Sequence, residues 1–234
     1  MDGWVLEQLS GNSFRLAASY SSKNESRGVY LTLLQESSPL IHGQQGISPK
    51  SSKAGHASHY YSLTRLKASG SVTINGVSHQ VKGTVWFDHE WSTNQLESDE
   101  AGWDWSGLHL SNGDDLMIFR IRDKAGGTSF RSGTLRSADG KSRTLDDIVM
   151  IPQGIWKSPH TGGLYPAAWD LKISSIGLSL TVTPKLADQE LLLAPFAYWE
   201  GAVRGEGSMA AKPVKAEGYF EMTGYGGKIL GLSQ

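Results

Sequence analysis

The sequence predicts an all-β protein of antiparallel strands, and three observations predict it. Apolar and polar residues alternate in short runs, dipeptides suited to tight turns separate the runs, and no segment holds the 3.6-residue period of an ordinary amphipathic helix. The 28 glycines among 234 residues sit mostly at junctions between apolar runs, where positive φ angles are wanted. "PKLADQELL", Pro184 to Leu192, comes nearest to a helix and has room for a turn or two.

Taken in order, the early part of the chain is meagre in clear strands. It contains a long loop rich in Ser, Gly and His, "SPLIHGQQGISPKSSKAGHASHYY", that needs a partner surface to be ordered. In "GSVTINGVSHQVKGTVWF" two alternating runs flank Asn75-Gly76, a dipeptide that tolerates positive φ at both central positions of a type I′ hairpin turn. The same device recurs at Asn112-Gly113 in "GLHLSNGDDLMIFRIR", and "SGTLRSADGKSRTL" turns at Asp139-Gly140. "AWDLKISSIGLSLTVTP" supplies two runs with a short link, and "YWEGAVRGEG" and "EGYFEMTGYG" follow. Consecutive strands on short loops pair antiparallel, so a meander closing into a barrel or curved sandwich is the economical architecture. An acidic, polar stretch, "LESDEAG", marks a boundary. It divides the chain into residues 1–98 and residues 99–234, of which the second has strands enough for a small barrel.

Bulk properties narrow the partners. Net charge is -1 with pI near 6.7 and no run of like charges, so neither a nucleic-acid footprint nor a polybasic membrane patch is indicated. A neutral, small-molecule partner fits. Without cysteine there are no disulfides, thiolate nucleophiles or sulfur-bound zinc, and the redox compartment stays open. The amino terminus lacks a basic start followed by a long apolar stretch, and no later segment has the length to span a bilayer. The chain reads as soluble, with compartment and oligomeric state undetermined.

Two short clusters hold the chemistry. "GTVWFDHEWSTNQL" sets Asp88, His89 and Glu90 between Trp86 and Trp91, and "GWDWSGL" sets Asp104 between Trp103 and Trp105. Alternation from Val77 puts Val85, Phe87, His89 and Trp91 on one face and Trp86, Asp88 and Glu90 on the other, unless a bulge intervenes. Addition of water to an isolated alkene needs a proton donor, protection of the cation and a placed water. Carboxylic acids in apolar surroundings donate, histidine relays, and tryptophan faces stabilise positive charge. The two clusters contain these residue types. The competing reading is scaffold: tryptophans of a β-barrel are often core, and carboxylates beside them pair with arginines such as Arg120 and Arg122. Glu200, Tyr165, Tyr198 and Trp199 fit packing first and pocket lining second. The scattered histidines show no metal-ligand spacing, and no phosphate-binding glycine loop or nucleophile elbow is present, so no metal or nucleotide cofactor is expected.

"GTVWFDHEWS", "GWDWSGLHLSNGDDLMIFRIR", "GLYPAAWDL", "YWEGAVRGEG" and "GYFEMTGY", in this order, resemble the family of carotenoid 1,2-hydratases and AttH-like proteins, and a weaker match reaches back to about His42. The resemblance implies two lipocalin-like antiparallel β-barrel domains. It also implies, for characterised members, water addition to a carbon–carbon double bond of a polyene or prenyl group, with isomerases and cyclases among the relatives. It supports a role for the Asp-His-Glu-Trp motif: His89 to orient or deprotonate water, Asp104 or Asp88 to donate the proton, and Glu90 beside them. Trp86, Trp91, Trp103, Trp105, Tyr165, Tyr198 and Trp199 are then the substrate-binding candidates. Members usually begin with a segment carrying a Glu-Trp-Trp-Tyr motif, often behind a secretion signal, which this sequence lacks. The expectation is therefore an incomplete amino-terminal barrel. The rival function within the same fold is a carrier that binds an apolar ligand without reacting it.

Overall fold

The computed structural model describes residues 3–23, 25–92, 96–193 and 196–226. Its strands, in chain order, are β1 (Val5–Gln8), β2 (Ser13–Ser21), β3 (Ser26–Gln35), β4 (Leu40–Ile41), β5 (Ile47–Pro49), β6 (Ala57–Ile74), β7 (Val77–Trp91), β8 (Glu100–Leu110), β9 (Asp115–Asp123) and β10 (Thr128–Arg136). They continue as β11 (Ser142–Leu145), β12 (Ile148–Gln153), β13 (Trp156–Lys157), β14 (Leu164–Tyr165), β15 (Ala168–Ile173), β16 (Leu178–Pro184), β17 (Glu190–Leu193), β18 (Phe196–Met209) and β19 (Lys212–Thr223). Among the described residues the helical content is one 310 turn, Ser174–Ile176. The protein is all-β and antiparallel, as its alternation requires. The described residues contain no helix long and apolar enough to cross a membrane.

The chain groups into two compact units. One comprises Met1–Leu40 and Tyr61–His89, the other Ile41–Tyr60 and Glu90–Gln234. In the first unit β1 pairs with β2, β2 with β3, and β3 with the later part of β6, in register from Arg27 opposite Ile74 to Gln35 opposite Leu66. Here the early part of the chain carries more strands than its weak pattern indicates. β7 returns along β6 through Asn75 and Gly76, both at positive φ (50° and 80°), which matches the right-handed twist of the flanking strands. Leu33, Leu63, Leu66 and Ala68 form this unit's core, with Phe14, Leu31, Tyr61, Val85 and Phe87 packed against it. Val85 and Phe87 thus share the face the alternation assigns to them.

The second unit contains a ten-stranded sheet in the order β11-β10-β9-β8-β19-β18-β16-β15-β12, with β17 also on β18. Its core gathers Leu108, Leu116, Ile118, Ile148, Leu171, Leu180, Trp199 and Phe220, each at most 2 % exposed. Burying such side chains stabilises by about 1.5–3 kcal/mol apiece, so this face anchors the sheet. The Asn112-Gly113 and Asp139-Gly140 turns link β8 to β9 and β10 to β11. The β18–β19 turn is unheralded: Ala210 and Ala211 hold φ of 48° and 62°. "PKLADQELL" forms no helix. Gln189 donates from its side chain to the carbonyls of Leu186 and Ala202, and Glu190–Leu193 pairs with Phe196–Trp199, so sheet pairing overrides local helix propensity.

Candidate functional site

In the first unit, Asp88 and His89 follow one another on β7 and point to opposite faces. His89 Nδ1 lies 3.0 Å from the hydroxyl of Tyr61, with the Tyr61 ring edge-on at 5.3 Å and Phe87 at 6.2 Å. Asp88 Oδ1 accepts from Trp86 Nε1 at 2.8 Å and from the Ser62 hydroxyl. β6 is the reason for both contacts, since Tyr61 and Ser62 are consecutive on it and face opposite sides in step with β7. Asp88 and His89 are exposed, and Trp86 is half-buried.

Glu90 and Trp91, the next two residues, belong to the second unit. Glu90 Oε1 accepts from Ser58 at 2.5 Å and pairs with Lys50 at 2.5 Å. Lys50 is buried, its ammonium 4.2 Å from the centre of the Phe119 ring and 5.1 Å from that of Tyr60. Beside it lies His42, fully buried, its Nδ1 2.9 Å from Thr134 Oγ1 and its ring 4.1 Å from Tyr60. Burial first, then the neighbouring Lys50 charge, lowers the His42 pKa to about 3, so this imidazole is neutral. Trp91 is exposed and stacks on His59 at 5.1 Å.

Asp104 lies in the interior of the second unit, with no solvent exposure. Pairing of β8 with β9 sets Asp104 opposite Arg120 and Gly102 opposite Arg122, so the carboxylate and both guanidiniums share one face. Arg120 Nε donates to Asp104 Oδ2 at 2.8 Å, and Arg122 Nε lies 3.1 Å from the same oxygen. Tyr225 reaches it weakly, at 3.4 Å. Burial raises the Asp104 pKa, and the Arg122 and Arg120 charges oppose that rise. A bulge between Glu100 and Gly102 permits this entry; Gly102 has φ of 151°, and a Cβ there would stand 2.6 Å from the Thr223 carbonyl oxygen.

The other aromatic candidates separate. Trp103 and Trp105 stand on the face of β8 opposite Asp104, half-buried. Trp103 donates to Glu221 Oε1 at 2.9 Å and Trp105 to the Tyr60 hydroxyl at 3.1 Å. The rings near Asp104 are instead Tyr225, 3.9 Å from the Arg122 guanidinium, and Trp169, 4.8 Å from that of Arg120. Tyr165 is buried, donates to Glu190 at 2.7 Å and lies 5.3 Å from Tyr225. Burial, then its bond to Glu190, raises its phenol pKa. Trp199 is core, its Nε1 donating to the Ala187 carbonyl at 2.7 Å, while Tyr198 is half-buried and Glu200 has its pKa raised by burial. Among the described residues no cluster of three or more His, Cys, Asp or Glu is arranged to hold a metal ion. Sequence reasoning did not single out Tyr61, Ser62, Lys50, Trp169 or Tyr225; only the alternation of Tyr61 and Ser62 opposite the motif offered a signal.

A protein of Nitrosomonas europaea assigned as AttH matches at 31% identity and a TM-score of 0.86, over 96% of this chain and 68% of that one. Kievitone hydratase of Nectria haematococca shares the fold at 21% identity and a TM-score of 0.77, over 97% and 70%. CghA shares it at 10% identity and 0.57, over 92% and 65%. No curated protein matches the sequence. The AttH-like family model matches residues 1–225, and the chain belongs to that family.

Proposed function

We propose that the chain is a hydratase-type enzyme that adds water to a carbon–carbon double bond of a hydrophobic small molecule of the prenyl or polyene class. The observation that carries this reading is the carboxyl group of Asp88 on β7, held by Trp86 Nε1 and the Ser62 hydroxyl, with His89 held by Tyr61 on the opposite face of the same strand. A carboxylic acid transfers its proton to one alkene carbon, leaving a cation at the other; water attacks the cation and releases a proton to solvent. Return of that proton to the carboxylate through solvent balances the cycle, with H and OH added and nothing consumed but water. Asp104 is the second candidate donor, since burial favours its protonated form. Membership of the AttH-like family and the fold shared with a kievitone hydratase support the reaction class. The isomerase and cyclase variants of this acid chemistry differ only in what captures the cation.

A second reading is a carrier of the same fold. It is favoured by the exposure of Asp88 and His89 and by the two guanidiniums that tie Asp104. Incubation with kievitone, acyclic carotenoids and simple prenyl compounds in heavy-oxygen water separates the two. The hydratase reading predicts labelled alcohol from the wild type and about a hundredfold less from Asp88→Asn at unchanged ligand binding. Binding without label from the wild type makes the protein a carrier.

A further inference from the structure

β7 forms an open edge of the first unit's sheet. Among the described residues its one strand neighbour is β6, and its 15 residues contain no proline, although short length and proline are the usual ways of blunting an edge. Ser78, His79, Gln80, Lys82, Gly83 and Thr84 are exposed, and a Cβ on Gly83 would meet nothing within 4 Å, so no described part of the chain covers the middle of this edge. Val81, Val85 and Phe87, on its apolar face, are only half-buried. The opposite edge of the sheet, β1, has 4 residues.

The sequence of β7 selects what fits it. Two antiparallel copies related by a two-fold axis at Thr84 set Val81 against Phe87 and Gly83 against Val85 on one face, with His79 against His89 beyond them. On the other face Gln80 meets Asp88, Lys82 meets Trp86, and Thr84 meets its own copy. Lys82 thereby comes over the Trp86 ring of the second copy and diagonal to its Asp88, an attraction that the symmetry makes twice. No like charges face each other. Neighbouring registers lose this match: an axis at Val85 sets Val81 against His89, and an axis at Gly83 sets Phe87 against His79 and Trp86 against Gln80. Pairing of β7 with β1 of another copy would give a ladder of only 4 residues, so the favoured contact closes on itself as a dimer rather than running on as a fibre.

We propose that the β7 edge of the first unit is a self-association surface, on which a second copy of this chain docks by antiparallel β7–β7 pairing centred on Thr84. The inference goes beyond the hydration reading and stands without it, since it invokes strand pairing and no catalytic step.

Sedimentation equilibrium of the full chain, combined with cysteine cross-linking, tests both the dimer and its register. The wild type is expected to sediment at twice its chain mass of 25.4 kDa. Lys82→Glu, at an exposed position, turns the diagonal attraction to Asp88 into repulsion and is expected to weaken the dimer about tenfold. The chain has no cysteine of its own, so Thr84→Cys places one thiol per copy, directly opposite its twin and within disulfide reach. Ser78→Cys places the thiols at opposite ends of the paired region, beyond that reach. On mild oxidation Thr84→Cys is expected to give covalent dimer at least about tenfold faster than Ser78→Cys. A wild type still monomeric at about 100 μM, an assembly larger than a dimer, a Lys82→Glu variant that dimerises like the wild type, or equal cross-linking of the two cysteine variants overturns the proposal.

Discussion

His42 shows how far one buried residue ties stability to pH. Its folded-state pKa, about 3, lies below the ordinary histidine value of 6.5, so between these limits the unfolded chain takes up a proton that the folded chain refuses. The contribution is therefore complete above 6.5 and declines as pH falls towards 3, by about 1.4 kcal/mol per pH unit. Denaturant titrations from pH 7 to 4 should show this slope, and His42→Gln should flatten it. Asp104 poses the converse case: Asp104→Asn leaves two guanidiniums without their carboxylate, and equilibrium unfolding should show a loss of about 3–5 kcal/mol. At this scale the sequence is partly legible. The face assigned to His89 is the one it occupies, because alternation is a backbone property. The pairing of Asp104 with Arg120 and Arg122 was legible only as the competing reading. The separation of Trp103 and Trp105 from Asp104 also follows from alternation, yet adjacency in the string "WDW" obscures it.

Among the elements, turns and bulges set the register that aligns these side chains. Gly102→Ala would force a Cβ to within 2.6 Å of the Thr223 carbonyl at a strained φ, whereas the space around Gly83 on β7 is open. Thermal melts should show Gly102→Ala destabilised by about 2–4 kcal/mol and Gly83→Ala nearly unchanged. The Ala210-Ala211 turn offers the opposite change. Replacing it with Asn-Gly relieves two left-handed alanines and should raise stability by about 1 kcal/mol in the same assay. Hairpins with Asn-Gly or Asp-Gly were readable because those residues have a mechanism for positive φ. The alanine turn was not, because only pairing of β18 with β19 imposes it. "PKLADQELL" is the mirror case, where helix-compatible residues are drawn into a strand by Gln189 and β18. The early strands β4 and β5 escaped notice because runs of two or three residues carry little periodic signal.

For the molecule as a whole, the all-β class and the AttH-like family were both readable, the first from alternation and turn chemistry, the second from five motifs spread over Gly83 to Tyr225. The grouping of Ile41–Tyr60 with the carboxy-terminal residues was not, since long-range packing of His42, Lys50 and Tyr60 leaves no local trace. Function rests on whether acid groups of this chain protonate an unsaturated guest. The most direct measurement is the site of deuterium in product formed in deuterium oxide from the same prenyl and polyene compounds. The account predicts one solvent deuteron on the carbon adjacent to the one that bears the new hydroxyl, in product formed by the wild type and about a hundredfold more slowly by Asp88→Asn. Product without that deuteron, or an Asp88→Asn variant as fast as the wild type with Asp104→Asn equally fast, would contradict it.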